Sequence, residues 1–281
     1  MREILCSGQA RSLEFPYPGG MAALCWSPAG ERGELTVSLH YDGAYGMGEK
    51  YNAVNQKGHT AVNEVEEKFC FQGEKTYCPA PFFWTNTGFG LYAATDERTS
   101  FRFGEKAVCA ELPVDCRVVL FSGMPGEIIR DYMDLFGPAK LPPKWAFGPW
   151  ISANHWDSQE KVERAVAQAE EHGFPVCALV AEAWSDEATF YVFRGARYVP
   201  KPNGGAFRLE DFDFSDSPWP DPAGMVQRLH EKGIRFLLWQ IPVYKKQGPD
   251  EPLNAQNELD QADAVARGLC VHNADGSPYT I

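Results

Sequence analysis

Over roughly the first 120 residues, apolar and polar side chains alternate one by one. Residues 34–41 (ELTVSLHY) are the clearest case, a period of two that predicts a half-buried strand. Further strands are predicted over 68–72, 81–85, 90–94, 100–104, 106–112 and 116–121. Turn signals separate them: Asp42-Gly43, Asn86-Thr87-Gly88, Gly104-Glu105 and Leu112-Pro113. Short strands punctuated at roughly 8–12 residues predict an antiparallel sandwich. Pro125 then opens a predicted helix to Phe136, with Ile128, Ile129, Tyr132 and Leu135 at helical spacing and Gly137 as its stop.

A Pro-rich joint at 137–144 precedes a change of period, so two domains are expected: residues 1–136, a β-sandwich, and residues 137–281. Beyond the joint, strand-like and helix-like runs alternate. Residues 145–152 predict a strand. Asp157 or Ser158 caps a helix, with Glu160 three residues after Asp157 as capping-box partner. Val162, Ala165, Val166 and Ala169 form its buried stripe, and Gly173 ends it. Residues 176–184 (VCALVAEAW) and 234–243 (IRFLLWQIPV) are near-continuous apolar runs, as in parallel strands covered on both faces. Helices are predicted from Asp221-Pro222 to Gly233, with Val226 and Leu229 inward, and over 257–268. The predicted fold is α/β with an all-β N-terminal part. It is a β-sandwich followed by about three βα units of a (β/α)8 TIM barrel, with right-handed crossovers.

The formal net charge of −12, with no basic run, argues against nucleic acid as a partner. No window approaches the roughly 18 apolar residues of a membrane span, and the N-terminus has too short an apolar run for a signal peptide. Eight cysteines form no CxxC and lie near no His at zinc-finger spacing. They are expected as buried free thiols in a reducing cytoplasm, so a cytoplasmic location is predicted. No HExxH, His pair or GxSxG is present, and neither a metal nor a cofactor is predicted. Gly46-Met47-Gly48 lacks the third glycine and the strand–helix context of a nucleotide loop. Eight Trp, 11 Tyr and 18 Phe are compatible with neutral sugars, and equally with well-filled cores.

In parallel α/β folds, chemistry sits at the carboxyl ends of the strands. That rule selects 152–157, where His155 is the one histidine placed for function, together with 182–187 and 239–245. The second loop is richest, with Glu182, Trp184, Asp186 and Glu187 in six residues. A carboxylate beside an indole offers a hydroxyl acceptor next to a stacking platform, although a solvated acidic loop reads the same way. Trp239 and Gln240 are placed to line the same pocket, and Trp239 is equally a core candidate.

Six segments in order resemble glycoside hydrolase family 31, the α-glucosidases and α-xylosidases. They are YGMGEKYNAVNQKG (45–58), PFFWTNTGFGLY (81–92), MPGEIIRDYMDLFGPAKLPPKWAFGPWIS (124–152), HGFPVCALVAEAW (172–184), the Phe/Asp and LHEKG pattern of 207–243, and NADGSPY (273–279). The resemblance implies a galactose-mutarotase-like sandwich leading into a catalytic barrel, with α-linked oligosaccharides or glycosides as substrates. It implies retaining hydrolysis by two carboxylates about 5–5.5 Å apart. In the family both are aspartates that lie beyond the DG.PY turn, so no catalytic residue is assigned here. The nucleophile and acid/base are expected beyond Ile281.

The family's second strand ends in an Asp that binds sugar hydroxyls in subsite −1. Counted from Gly173, that position is Glu182, one methylene longer. Glu182, Trp184 and Trp239 are therefore the expected substrate-binding residues. The insertion 185–220, with Arg194, Arg197 and Lys201, is either a set of leaving-group contacts or a solvated excursion. Two other readings stand beside this one: a non-catalytic fragment with weak carbohydrate binding, and a different α/β enzyme pairing Glu182 with Asp186 or Glu187. An open three-stranded barrel edge further predicts self-association.

Overall fold

The structure, a computed structural model, describes residues 1–66, 72–73, 76–187, 189–201, 204–251 and 253–280. The chain divides into two compact units, Met1–Lys140 and Leu141–Ile281.

Two antiparallel sheets form the first unit. One takes the order β1 (Arg2–Cys6), β11 (Cys116–Ser122), β8 (Phe89–Ala94), β7 (Pro79–Thr85), β5 (Ala44–Gly48). The other runs β2 (Arg11–Tyr17), β3 (Gly20–Ala29), β4 (Arg32–Ser38), β10 (Ala107–Pro113), β9 (Thr99–Phe103), β6 (Thr60–Asn63). Alternate residues point inward from both sheets into one core that includes Leu24, Trp26, Leu35, Val37, Phe83, Phe101 and Val118. This is the expected sandwich, its two inner faces interdigitating as aligned sheets do. Helix α1 (Pro125–Asp134) covers the five-stranded sheet with Ile128 fully buried and the Tyr132 ring stacked on Phe82 at 3.8 Å. Glu127 accepts the Met124 N–H at 2.7 Å and so closes its first turn.

The expected strand over 68–72 falls almost wholly outside the described residues. Five strands were not predicted: β1, β2, β3, β5 and β6. In β3 the outward residues Ala23 and Cys25 are themselves apolar, which hides the period of two. In β5 the glycines break the pattern for a steric reason. Gly48 has φ 79°, and a Cβ there would stand 2.1 Å from the Cys78 carbonyl oxygen. The Gly-Met-Gly run is thus a bulge against β7, where the register shifts between Gly46 and Gly48.

The second unit holds a parallel sheet in the order β12 (Trp150–Ala153), β13 (Ala178–Ala181), β14 (Arg235–Leu238). Helices α2 (Gln159–Glu171), α3 (Pro222–Glu231) and α4 (Asn254–Ala266) follow the strands in turn. The expected strand over 145–152 is corrected to a 3-10 turn, Lys144–Phe147, followed by the shorter β12. Gly148 and Pro149 separate the two, and the Cys177 sulfur packs where a Cβ on Gly148 would lie. Ser158, not Asp157, caps α2 by accepting the Lys161 N–H. Asp157 instead takes the Lys161 ammonium at 2.7 Å.

Val162 and Val166 of α2 and Met225 and Leu229 of α3 bury against Ile151, Leu179 and Phe236. The expectation of burial on both faces is met in β13, where Ala178, Leu179 and Ala181 are fully covered. It is not met in β14, the outer strand of the three described, whose Leu238 is 38% exposed.

The insertion 185–220 is not a solvated excursion. Its rings extend the core under the sheet: Phe193 meets Trp184 (5.1 Å), Trp219 (5.3 Å) and Phe214 (6.1 Å), and Tyr198 meets Phe207 and Phe212. Bulky rings at irregular spacing carry no period, so the pattern of the sequence could not reveal them.

Six carboxylates of this unit lie below their ordinary value of 3.8, in each case first through a side-chain hydrogen bond. The partners are Lys161 for Asp157, Lys201 for Asp211, Ser215 for Asp213, Arg228 for Asp221, Arg208 for Asp263 and Ser277 for Asp275. A depressed folded value stabilises above the unfolded value and is lost as pH falls through the folded one. The unit is therefore expected to lose stability progressively below about pH 4. Tryptophan fluorescence reports it, since six of the eight tryptophans lie there. Equal urea midpoints at pH 6 and pH 3 would contradict this.

Candidate functional site

The sheet has two chemically distinct faces. Ile151, Leu179 and Phe236 share one register position across the strands and face the helices. Strand geometry alternates sides, so Ser152, Val180 and Leu237 line the opposite, inner face. Glu182 follows β13 by one residue and returns to that inner face. The Ser152 hydroxyl donates to Glu182 Oε1, joining the carboxyl ends of two neighbouring strands. Glu182 is half-buried.

Trp239 follows β14, and its N–H donates to the Ala181 carbonyl at 3.0 Å, extending the ladder by one residue. Its indole is 50% exposed. Trp184 is different. It is 3% exposed, packed in the core with Val162, Leu179 and Phe193, and its indole N–H donates to the Trp239 carbonyl. It stands behind the site and holds the backbone of the exposed indole, so it offers no face for stacking. Ser152–Glu182 and Trp184–Trp239 are thus two separate hydrogen-bonded pairs at the carboxyl ends of the parallel strands.

The remaining acidic residues of the loop are otherwise engaged. Asp186 accepts the Thr189 N–H at 2.7 Å and hydroxyl at 2.9 Å. Burial pushes the Tyr198 hydroxyl up to about 12, and the neighbouring Asp186 adds to the effect. Glu187 is exposed, and its carbonyl accepts the Lys245 ammonium at 3.0 Å. Asp186 is therefore part of a turn rather than a free acid for pairing with Glu182. His155 is exposed beside Trp156. The cations of the insertion are matched within this unit: Arg194 with Asp157 (3.8 Å), Arg197 with Asp216, and Lys201 with Asp211 (2.8 Å). Among the described residues, no group of three or more His, Cys, Asp or Glu could hold a metal ion. No helix among them is long and apolar enough to cross a membrane.

A second layer escaped the sequence reading. Gln256, Asn257 and Asp260 of α4 are buried. Asp260 accepts the Tyr191 hydroxyl at 2.5 Å, the Phe207 N–H at 2.7 Å and Gln256 Nε2 at 3.0 Å. Gln256 also donates to the Gly205 carbonyl at 3.1 Å, and Asn257 to the Lys245 carbonyl. Helix α4 thereby ties the insertion to the loop after β14. A helix that buries its polar side gives no hydrophobic period, and its only signal was the polar run Asn254–Asp260 itself.

An all-β sandwich followed in chain order by parallel βα units is the order of elements expected of a sandwich leading into a TIM barrel. The profile of the glycosyl hydrolases family 31 TIM-barrel domain matches residues 139–281. The chain belongs to glycoside hydrolase family 31. It is 33% identical over 272 residues to a 1,3-alpha-isomaltosidase of Kribbella flavida, covering 92% of this chain and 37% of that protein. With an isomaltosyltransferase of Sporosarcina globispora it shares 32% identity over 248 residues, 84% of this chain and 22% of the other. A solved cycloalternan-degrading enzyme of Trueperella pyogenes, in complex with a covalent intermediate, superposes with a TM-score of 0.76 at 33% identity. That match covers 96% of this chain and 40% of the other. The chain thus spans less than half the length of each of these relatives.

Proposed function

We propose that the protein is a retaining, exo-acting α-glycosidase of α-linked gluco-oligosaccharides, and that these residues supply part of its subsite −1. The observation that carries this is the Ser152–Glu182 hydrogen bond at the carboxyl ends of β12 and β13. It immobilises one carboxylate oxygen and presents the other to a sugar hydroxyl. Trp239 offers an exposed apolar wall beside it, and Trp184 supports that wall from the core. The covalent intermediate of the Trueperella enzyme supports the retaining course. In such a course one carboxylate attacks the anomeric carbon while another protonates the leaving oxygen and then activates water. The names of the two curated relatives favour isomaltosyl units over single glucosyl or xylosyl ones. Because the chain spans 22–40% of these relatives, the two-carboxylate chemistry is proposed for the whole protein. Of these 281 residues only sugar binding is proposed.

Calorimetric titration with isomaltose tests this. Binding is expected, weakened about 10-fold or more in Glu182→Gln, since a hydrogen bond to a charged group contributes about 1.5–3 kcal/mol. No binding to the chain, or equal affinity in the variant, would overturn the assignment of Glu182. Robust turnover of p-nitrophenyl α-glucoside or α-xyloside by these residues alone would show instead that a complete acid pair lies within them.

A further inference from the structure

Cys6 ends β1 and Cys116 begins β11, and the two are direct partners in the antiparallel register. Both point into the sandwich core beside Ile4 and Val118, Cys6 fully covered and Cys116 4% exposed. Both are free thiols. Residues opposed in an antiparallel pair have Cα atoms about 4.5–5.5 Å apart. A disulfide needs roughly 4.4–6.8 Å. The backbone is therefore already set for a bond, and only side-chain rotation is required. Cys116 Sγ now donates weakly to its neighbour's carbonyl, on Arg117, at 3.5 Å, an interaction easily given up.

No other pair of described cysteines is placed this way. Cys25 and Cys109 both oppose Thr36, from β3 and β10. Two strand spacings, about 9.6 Å, separate them, which is too far to bridge.

We propose that Cys6 and Cys116 are a modification site, a dithiol that closes to a cross-strand disulfide by exchange with a small-molecule disulfide, RSSR. One thiolate attacks a sulfur of RSSR, forming a mixed disulfide and releasing RSH once the leaving thiolate takes up a proton. The second thiolate then attacks the protein sulfur of that mixed disulfide and releases the second RSH. Two protein thiols are oxidised and one RSSR is reduced to two RSH.

Burial pushes the Cys6 thiol up to about 12 and the Cys116 thiol to about 11, so the closed core holds almost no thiolate. Exchange must pass through an opening. β1 provides one, being a five-residue edge strand whose ladder partner among the described strands is β11, with Leu5 48% exposed. Short edge strands open locally at lower cost in free energy than central ones. The disulfide would end that opening and tie β1 to β11 across a long loop.

The full chain is incubated dilute with oxidised glutathione in about 1 M urea, returned to buffer, and compared with Cys116→Ala treated alike. The expected result is a non-reduced peptide map containing Cys6 linked to Cys116. The thermal midpoint of the first unit should rise by about 5–15 °C, reversed by dithiothreitol. Cys116→Ala should show no such rise and should carry glutathione on Cys6. Recovery of both cysteines as free thiols, or either linked to a different cysteine, would overturn the proposal.

Discussion

Replacing Asp260 with alanine is expected to destabilise the Leu141–Ile281 unit by about 3–5 kcal/mol. The carboxylate is 6% exposed and receives three donors: the Tyr191 hydroxyl, the Phe207 N–H and Gln256 Nε2. Removing it strands those donors where water does not readily replace it, and a buried donor left unpaired costs about 1–3 kcal/mol. Gln256 keeps a second acceptor in the Gly205 carbonyl, so the three penalties do not add in full. Asp260→Asn retains one oxygen acceptor and is expected to cost less, about 1–3 kcal/mol. Urea unfolding followed by tryptophan fluorescence measures both. Near-equal midpoints for wild type and Asp260→Ala would mean that α4 does not organise the insertion. The consequence for the site is indirect: the insertion departs from Trp184, whose indole holds the Trp239 carbonyl, so a loosened insertion should also weaken sugar binding.

Phe83→Ala is expected to cost the sandwich about 3–5 kcal/mol, the usual range for removing a buried aromatic ring. Phe83 is fully buried and lies between the sheets. It meets Phe89 of its own sheet at 6.1 Å, and Phe101 and Phe103 of the other at 6.0 and 5.2 Å. Edge-to-face contacts of this kind add to the area buried. Circular dichroism in urea should show the loss, whereas Phe83→Leu, which keeps most of the apolar volume, should lose clearly less. A cost under about 1 kcal/mol for Phe83→Ala would mean that the two sheets do not share this ring cluster as their core.

Much of this protein was legible before any coordinates. Strands β4, β7 to β11, β13 and β14 and helices α1 to α4 followed from pattern and punctuation, and the ordered segments led to the family. Legibility failed wherever the physics is not periodic. β3 hid because its outward residues are apolar, and β5 because glycine serves a backbone approach rather than a side-chain pattern. The strand expected over 145–152 shortened because Gly148 and Pro149 interrupt the ladder. The insertion looked solvated because its aromatic core has no repeat. The buried polar face of α4 reads, by composition, as surface.

The candidate site divides the same way. Glu182 was found by counting from Gly173 and by the rule that strands deliver chemistry at their carboxyl ends. Trp184 and Trp239 were read alike by residue type. An indole has the same composition whether it is exposed or in a core, and only the packing buried the first and left the second half-exposed. Ser152 lay inside a selected loop without a role, because its partner is thirty positions away.

By itself the sequence determined the class of each unit, since a period of two and an alternation of strands and helices are local consequences of burial on one face or two. It also determined the family, through segments whose order survives without contacts. Tertiary structure alone decided which indole is exposed, which acid is committed to a turn, and which two of the described cysteines stand opposite one another. Each of these depends on residues distant in the chain meeting in space, and no local pattern encodes such a meeting.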